Sequence, residues 1–333
     1  MKRFKCFGCG SALYFGNRQC LKCEREAAYL PEGRIMLTVD PAPGGQVSAL
    51  HPQHEATRWK HCANRDLDDA CFWLVDPRDS HTLCRSCRLS TRVPFLGDDI
   101  ERLRWKRVEA AKQRLVHGLL EANLPFDPPH AGSPKLEFHL LSERPLAPVT
   151  TGHANGVITI DVAEGDDVER ARRREVVGEQ YRTLLGHFRH EVGHYYWMVL
   201  ATRADFLDAF RALFGDDRID YAKALQTHYR DGARADWQTE WISEYASCHP
   251  WEDWAECWAH FMHMTDAIET AKEHGLRPEG MNLLDQWQRV SLLINDLNRA
   301  VGMRDAYPFV VVEPVRSKIA FIAAQARTLG HTA

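Results

Sequence analysis

The sequence predicts an α+β protein: a cysteine-stapled head over residues 1–95, then a mostly helical body over 96–333 with a small antiparallel sheet. Three observations carry this. Eight of the ten cysteines fall within the first 87 residues, in or near CxxC spacing. Two short runs, Leu136 to Leu141 and Gly156 to Glu164, read as strands. From about Val168 onward the apolar spacing is mostly helical. At roughly 150 residues per domain, a chain of 333 residues should form two folded units. With 44% hydrophobic and 26% charged residues it is not a collagen, a coiled-coil rod or a largely disordered chain.

From the N-terminus, Cys6-Phe7-Gly8-Cys9 and Cys20-Leu21-Lys22-Cys23 form two CxxC pairs separated by ten residues. Each pair presents two thiolates to one point, and four thiolates complete the closed tetrahedral shell that structural zinc prefers. A turn-rich stretch, Asp40-Pro41-Ala42-Pro43-Gly44-Gly45, follows. Cys62, Cys71, Cys84 and Cys87 make a second, looser set, in which only the last two are a CxxC. Asp66, Asp68, Asp69, Asp76, Pro77 and Asp79 lie between them and read as loop. A loop-rich segment needs some staple other than a core, so a second four-thiolate zinc site is expected, with His61 or His81 as substitute ligands. Such small ribbons bury too little apolar surface to fold unaided, and the metal supplies the missing free energy. Cys248 and Cys257 lack partners of this kind and read as packing residues near a site.

Asp98 can cap a helix, with Glu101 three residues on as in a capping box. Ile100, Leu103, Val108, Ala111, Leu115 and Leu119 lie near one face of it, and it should close before Pro125. Pro125, Pro128, Pro129, Gly132 and Pro134 make a break before the strand Leu136 to Leu141. Gly156 to Glu164 is the better strand, with Ile158, Ile160 and Val162 on one face. Arg170, Arg172, Arg173 and Arg174 read as a solvated helix face. Near the C-terminus Leu283, Leu284, Trp287, Val290, Leu293, Ile294 and Leu297 keep helical spacing and read as core. Tyr307 to Val312 reads as a short strand or linker.

No apolar run approaches the roughly 18 residues that a membrane span needs. The N-terminus reaches Cys6 without an apolar segment or a small-residue cleavage site, so no secretory signal is expected. Paired cysteines at metal spacing suit a reducing cytoplasm. A net charge of −4, from 42 basic and 46 acidic residues, is too near neutral for bulk attraction to nucleic acid or anionic lipid.

His190-Glu191-Val192-Gly193-His194 is an HExxH motif in a helix-compatible stretch, Gln180 to Leu200. Residues four apart share a helix face, so both imidazoles can reach one metal ion while Glu191 projects beside them to hold the attacking water. Catalytic zinc takes three protein ligands and keeps one position open. A third histidine six residues on would need position 200, which is Leu200, and position 197 is Trp197 rather than glycine. A carboxylate from a second helix is the alternative. Trp251-Glu252-Asp253-Trp254-Ala255-Glu256 follows Pro250, a residue favoured in the first turn of a helix. Glu252 and Glu256 share a face, so one can bind metal while the other accepts a hydrogen bond from a ligating imidazole and fixes its tautomer. Gly193 and Ala255 are small enough to let two helices approach closely.

HExxH followed by ExxxE on a later helix resembles the gluzincins, the thermolysin-like zinc peptidases. The wider arrangement is an N-terminal zinc ribbon, a second cysteine cluster, HEVGHYYW, Tyr245-Ala246, His249-Pro250 and EDWAECWAH. It resembles the bacterial "putative zinc-binding metallo-peptidase" family with a zinc-ribbon head, over essentially the whole chain. The resemblance implies a gluzincin-like catalytic domain with His190, His194 and Glu252 as zinc ligands, Glu191 as general base and Glu256 behind them. It further implies zinc-dependent hydrolysis of peptide bonds by a metal-activated water. Two departures stand out: 57 residues separate His194 from Glu252, more than in thermolysin-like enzymes, and the carboxylate behind the ligands is Glu rather than Asp.

Tyr245, seven residues before Glu252, is placed to hydrogen-bond the oxyanion formed when water attacks a carbonyl. Gly156 to Glu164 is a candidate sheet edge for an extended peptide substrate. His187, His260 and His263 read as bystanders, with His260 near enough in sequence to support the site. Trp197, Trp251, Trp254 and Trp258 read as core around the two helices. The rival function is a zinc-ribbon adaptor that binds nucleic acid or protein on an inactive peptidase scaffold. Lys2, Arg3, Lys5, Arg18, Lys22 and Arg25 make the ribbon basic and keep that reading open, though nucleic acid is not the favoured partner.

Overall fold

A computed structural model of the chain describes residues 2–126, 135–143, 149–170, 172, 183–276 and 282–331. Pro128, Pro129, Gly132 and Pro134 of the expected break, Arg173 and Arg174 of the basic run, and Gln180 lie outside the described residues. The fold is α+β, with the cysteine clusters in an N-terminal ribbon region and helices dominating the C-terminal half. Two compact units are present: Met1–Asn123 with Leu136–Gly152 and Val157–Leu185, and Leu124–Lys135 with His153–Gly156 and Gly186–Ala333.

In the first unit, β1 (Arg3–Lys5) and β2 (Ala12–Tyr14) form an antiparallel hairpin whose connection carries Cys6 and Cys9. Strands β3 (Glu26–Leu30), β4 (Ile35–Ala42), β5 (Gln46–Ala49), β6 (Arg58–His61) and β7 (Leu74–Val75) then build an antiparallel sheet in sequence order. One face of it buries Ala28, Leu30, Leu37, Val39, Val47, Trp59 and Leu74. Strand β8 (Ser90–Arg92) follows, and then helix α1 (Asp99–Glu121).

The Asp98 carboxylate accepts the Glu101 amide at 2.9 Å, as the capping pattern predicts, and α1 ends before Pro125. Val108, Leu115 and Leu119 are buried, but Ile100 and Leu103 are exposed. This unit does not stop at residue 95. Phe15 lies 4.1 Å from the His117 ring of α1, and Gln113 Nε2 donates to the Ala70 carbonyl at 3.0 Å. Helix α1 is therefore part of the packing around the head.

Strands β9 (Glu137–Leu141), β10 (Gly152–Ala154) and β11 (Val157–Asp161) join β8 in a sheet of order β10-β11-β9-β8, with β9 parallel to both β8 and β11. Both expected strands are present, yet β11 is hydrogen-bonded on its two sides and is no edge. The short β10, ahead of the Asn155-Gly156 turn with positive φ at both residues, takes the outer place.

The second unit holds α2 (Leu184–Leu200), α3 (Ala204–Phe214), α4 (Tyr221–Asp231), α5 (Pro250–Glu273), α6 (Leu283–Ala300) and α7 (Glu313–His331). Its core is aromatic. Trp254 and Trp258 of α5 are fully buried, with Phe206 and Phe210 of α3 edge-on to Trp254 and Tyr196 of α2 stacked on Trp258 at 4.8 Å. Trp197 and Trp251 are half-buried and meet edge to face at 5.1 Å. Lys318 of α7 ties to Asp253 of α5 at 2.6 Å, and its second bond is to the Glu240 carbonyl. In α6 the inner stripe is Leu284, Trp287 and Val290, whereas Leu293 and Leu297 are exposed. Tyr307 to Val312 is a linker without strand pairing. Among the described residues no helix is long and apolar enough to cross a membrane.

Candidate metal centre

The four thiols of the first cluster and the four of the second each converge, with all ligand atoms of a cluster within 4.8 Å of one another. Cys6 and Cys23 approach to 3.5 Å, Cys9 and Cys20 to 3.6 Å, and Cys71 and Cys84 to 3.7 Å. A disulfide needs sulfurs about 2.0 Å apart, and the cysteines are indeed free thiols. Zinc–sulfur bonds of about 2.3 Å in a tetrahedron place sulfurs about 3.8 Å apart, close to the spacing found, so both donor sets fit zinc. In the second cluster the amides of Trp73, Cys84 and Cys87 donate to Cys71, Cys62 and Cys84 sulfurs at 3.3 to 3.4 Å, which offsets thiolate charge in a buried site. His61 and His81 are not in that set. His61 pairs with Glu26 instead, and His81 is exposed beside Asp79. Cys257 is buried and Cys248 half-buried, neither within a metal-ligating group.

The third converging set is His190, His194 and Glu252. Their placement follows from two helices packed unusually closely. A Cβ on Gly193 of α2 would lie 3.0 Å from the Ala255 Cα and from the Trp258 Cβ of α5, so any larger residue would force the two helices to give way there. Trp254 Nε1 donates to the Gly193 carbonyl at 2.8 Å and locks the pair. Pro250 starts α5, with His249 at the cap accepting the Trp251 amide through Nδ1. That start sets Glu252 one turn into α5, facing α2.

His190 Nε2 lies 2.9 Å and His194 Nε2 3.4 Å from the same oxygen of Glu252, Oε2. Two nitrogens and a carboxylate oxygen at one point are a donor set suited to zinc, with room left for a further ligand. One buried oxygen here, Glu191 Oε2, has no hydrogen-bond partner among the described residues. Buried polar atoms are nearly always paired, so a polar guest at this point fits the site. Glu256 stands behind the triad: Oε1 is 2.7 Å from His190 Nδ1, and Oε2 accepts from Ser243 Oγ at 2.7 Å.

The electrostatics agree. Burial disfavours charge on His190, yet Glu252 and Glu256 outweigh it and hold the imidazole pKa well above its usual value. The carboxylates thus draw positive charge to this point. Burial opposes ionisation of Glu191 too, but His187, His190 and His194 keep its pKa below the ordinary value. Glu256 is depressed to about 2, with the His190 contacts outweighing its burial.

Sequence reasoning missed three contacts. His187, taken for a bystander, sits 3.3 Å from Glu191 through Nε2; its spacing of four from Glu191 was the available signal. His153 of β10 lies nearly parallel to the His194 ring at 6.2 Å, its Nε2 accepting the Gly156 amide. Burial, then His194, lowers the His153 pKa to about 4. Tyr221 of α4 donates to Glu252 Oε1 at 2.7 Å. No motif marks these last two. His260 bonds Tyr307 at 2.9 Å, and His263 meets Arg189 at 2.6 Å. Tyr245 lies with its ring 6.0 Å from that of His190, and burial followed by the Glu252 charge raises its pKa, so it remains a protonated donor. In the ribbon, Lys2, Arg18 and Arg25 pair with Glu121, Asp69 and Asp40, which removes much of the basic patch.

Residues 101–325 match the family described as "Putative zinc-binding metallo-peptidase", and residues 3–98 match a zinc-ribbon domain. Relatives include an uncharacterized protein of Mycobacterium bovis and two from strains of Mycobacterium tuberculosis. Each is 40% identical over 341 residues, covering 97% of this chain and 94% of the relative. No solved structure matches the chain.

Proposed function

The chain belongs to this family of zinc-binding metallo-peptidases, and from that premise we propose that it hydrolyses peptide bonds with Glu191 as general base. The observation that carries the reading is the convergence of His190, His194 and Glu252 beside a buried, unpartnered Glu191 oxygen. Residues 1–95 carry the ribbon and residues 96–333 the catalytic part, with α1 of the latter packed against the ribbon, and there is one zinc at the catalytic centre and one at each four-cysteine cluster. The substrate is a peptide or protein, and the thiol clusters suit a cytoplasmic setting.

His190, His194 and Glu252 would hold the zinc, which when bound would supply a Lewis acid able to acidify water and polarise a carbonyl. Glu191, ionised at neutral pH, accepts the proton of the attacking water and later delivers it to the leaving nitrogen. His187 holds one oxygen of Glu191 and leaves the other free for that task. Glu256 fixes the His190 ring through Nδ1, which turns Nε2 toward Glu252. Tyr245 offers its hydroxyl to the developing oxyanion, a contribution of roughly 3 kcal/mol when the donor is preorganised. Strand β10, which carries His153 beside His194, is the edge to which an extended substrate adds.

Digestion of a peptide library by the parent and by Glu191→Gln, with metal content measured in both, tests the proposal. Chelator-sensitive cleavage by the parent alone supports it. Equal cleavage by the variant contradicts it.

A further inference from the structure

Glu252 presents its two oxygens to different partners. Oε2 faces His190 Nε2 at 2.9 Å and His194 Nε2 at 3.4 Å, while Oε1 accepts the Tyr221 hydroxyl at 2.7 Å. A carboxylate with both oxygens free can swing and bind a cation through both, which would fill the position that a catalytic zinc keeps open. An oxygen that accepts a phenol's hydrogen bond is held in place by it and gives up electron density to it, so it is less available for that second metal bond.

We propose that Tyr221 is a positioning residue that restricts Glu252 to one-oxygen ligation of the catalytic metal and strengthens the hold on it. The proposal rests on the metal-site reading given above.

Tyr221 is not in place for the sake of packing. It is the first residue of α4, a helix in which no residue is buried, and it is itself 37% exposed. Tyr221, Ala224, Leu225 and His228 follow the i, i+3, i+4, i+7 pattern of one face. The last three are only half-buried, so α4 rests lightly on its neighbours. What orients the tyrosine is specific. Asp220 caps α4 by accepting the Lys223 amide at 3.0 Å, which fixes where the helix begins. The Tyr221 ring stands edge-on to His249 at 5.1 Å and to Trp251 at 6.0 Å. Trp251 in turn stands edge-on to His194 at 5.7 Å. Tyr221 is therefore held between the cap residue of α5 and an aromatic that touches a ligand, with its hydroxyl on the third ligand. Tyr245 shares the neighbourhood and the chemistry, but its ring packs at 6.0 Å from His190 and from His228, and it makes no hydrogen bond to Glu252.

The test is chelator competition on the zinc-loaded full-length chain, comparing the parent with Tyr221→Phe and Tyr245→Phe. The two thiolate-bound zinc ions serve as an internal reference for the chelator, and the far-ultraviolet helical signal checks that the helical unit stays folded in each variant. Removing a group that braces a ligand typically costs 10–100-fold in metal affinity. The expected result is that Tyr221→Phe releases the third zinc at about ten-fold lower chelator strength. Tyr245→Phe should release it as the parent does. A parent with three zinc ions whose Tyr221→Phe variant holds the third equally well overturns the proposal. So does an equal weakening by Tyr245→Phe, because the effect would then not come from the bond to Glu252. A parent that binds no third zinc overturns the metal-site reading itself, and this proposal with it.

Discussion

His190 Nδ1 lies 2.7 Å from Glu256 Oε1, while the other nitrogen of the same ring lies 2.9 Å from Glu252 Oε2. One imidazole thus bridges two carboxylates four residues apart on α5, and the two have unequal jobs. Glu252 shares its oxygen with both histidines, whereas Glu256 bonds His190 and Ser243. Replacing Glu256 by Gln should keep the fold and weaken zinc at the catalytic site by roughly 10–100-fold, without affecting the thiolate-bound ions. Chelator competition reads this directly. Unchanged affinity would show that the contact to His190 is incidental.

Gly193 governs how closely α2 and α5 approach. A methyl group there meets the Ala255 Cα and Trp258 Cβ at 3.0 Å, and one of these is backbone that cannot rotate aside. Gly193→Ala should cost about 1–3 kcal/mol of stability, as overpacking does. It should also push Glu252 away from the histidines and lower zinc content at the third site. Denaturant titration and metal analysis of the same sample check both. A variant with parental stability would mean the helices separate freely.

The thiol clusters and the catalytic triad should part company under a chelator. Cys62, Cys71, Cys84 and Cys87 are all buried, whereas the triad retains a position open to solvent ligands in the proposed chemistry. Metal analysis should find about three zinc ions per chain, one lost quickly and two slowly. Cys71→Ser should unfold much of the ribbon region, because metal binding supplies its folding free energy. Retention of two tightly held ions by Cys71→Ser would rule out the second thiolate site.

Acid stability should depend on His260. Burial lowers its pKa to about 4 against an ordinary value of 6.5, with Glu256 opposing the shift, and Tyr307 bonds its Nδ1 at 2.9 Å. The unfolded chain therefore takes up this proton first. The contribution is complete above pH 6.5 and is lost as pH falls toward about 4. A difference of that size corresponds to about 3 kcal/mol as an upper figure. His260→Gln should have a shallower loss of stability over this window than the parent, as read by urea unfolding at a series of pH values. Parallel curves would contradict it.

The legible parts of this protein are those whose chemistry is local in sequence. Cys6, Cys9, Cys20 and Cys23 announce a thiolate site by spacing, and Asp98 with Glu101 announces the start of α1. His190 and His194 four apart, and Glu252 and Glu256 four apart after Pro250, placed the two faces that meet. Gly193 and Ala255 were readable as the close approach for the same reason.

What was hidden depends on tertiary placement. Tyr221 lies 31 residues from Glu252 on a helix with no buried residue, so periodicity gives it no weight. His153 reaches His194 through a strand edge that the sequence suggested for β11 instead, because a β-branched run reads the same at the edge and the centre of a sheet. Leu293 and Leu297 are exposed where α6 instead turns Asn295 inward, onto the backbone of Tyr307. Apolar spacing reports a face, not the length over which that face is covered.

In the function proposed above, Glu191 moves the proton in a metal-assisted hydrolysis. The most direct measurement is the cleavage rate of a peptide-library hit by the parent and by Glu191→Gln, each shown to carry the third zinc. The account predicts a loss of roughly 10²–10⁴-fold with metal retained, the usual worth of a general base. Cleavage by Glu191→Gln at the parental rate, with zinc in place, would contradict it.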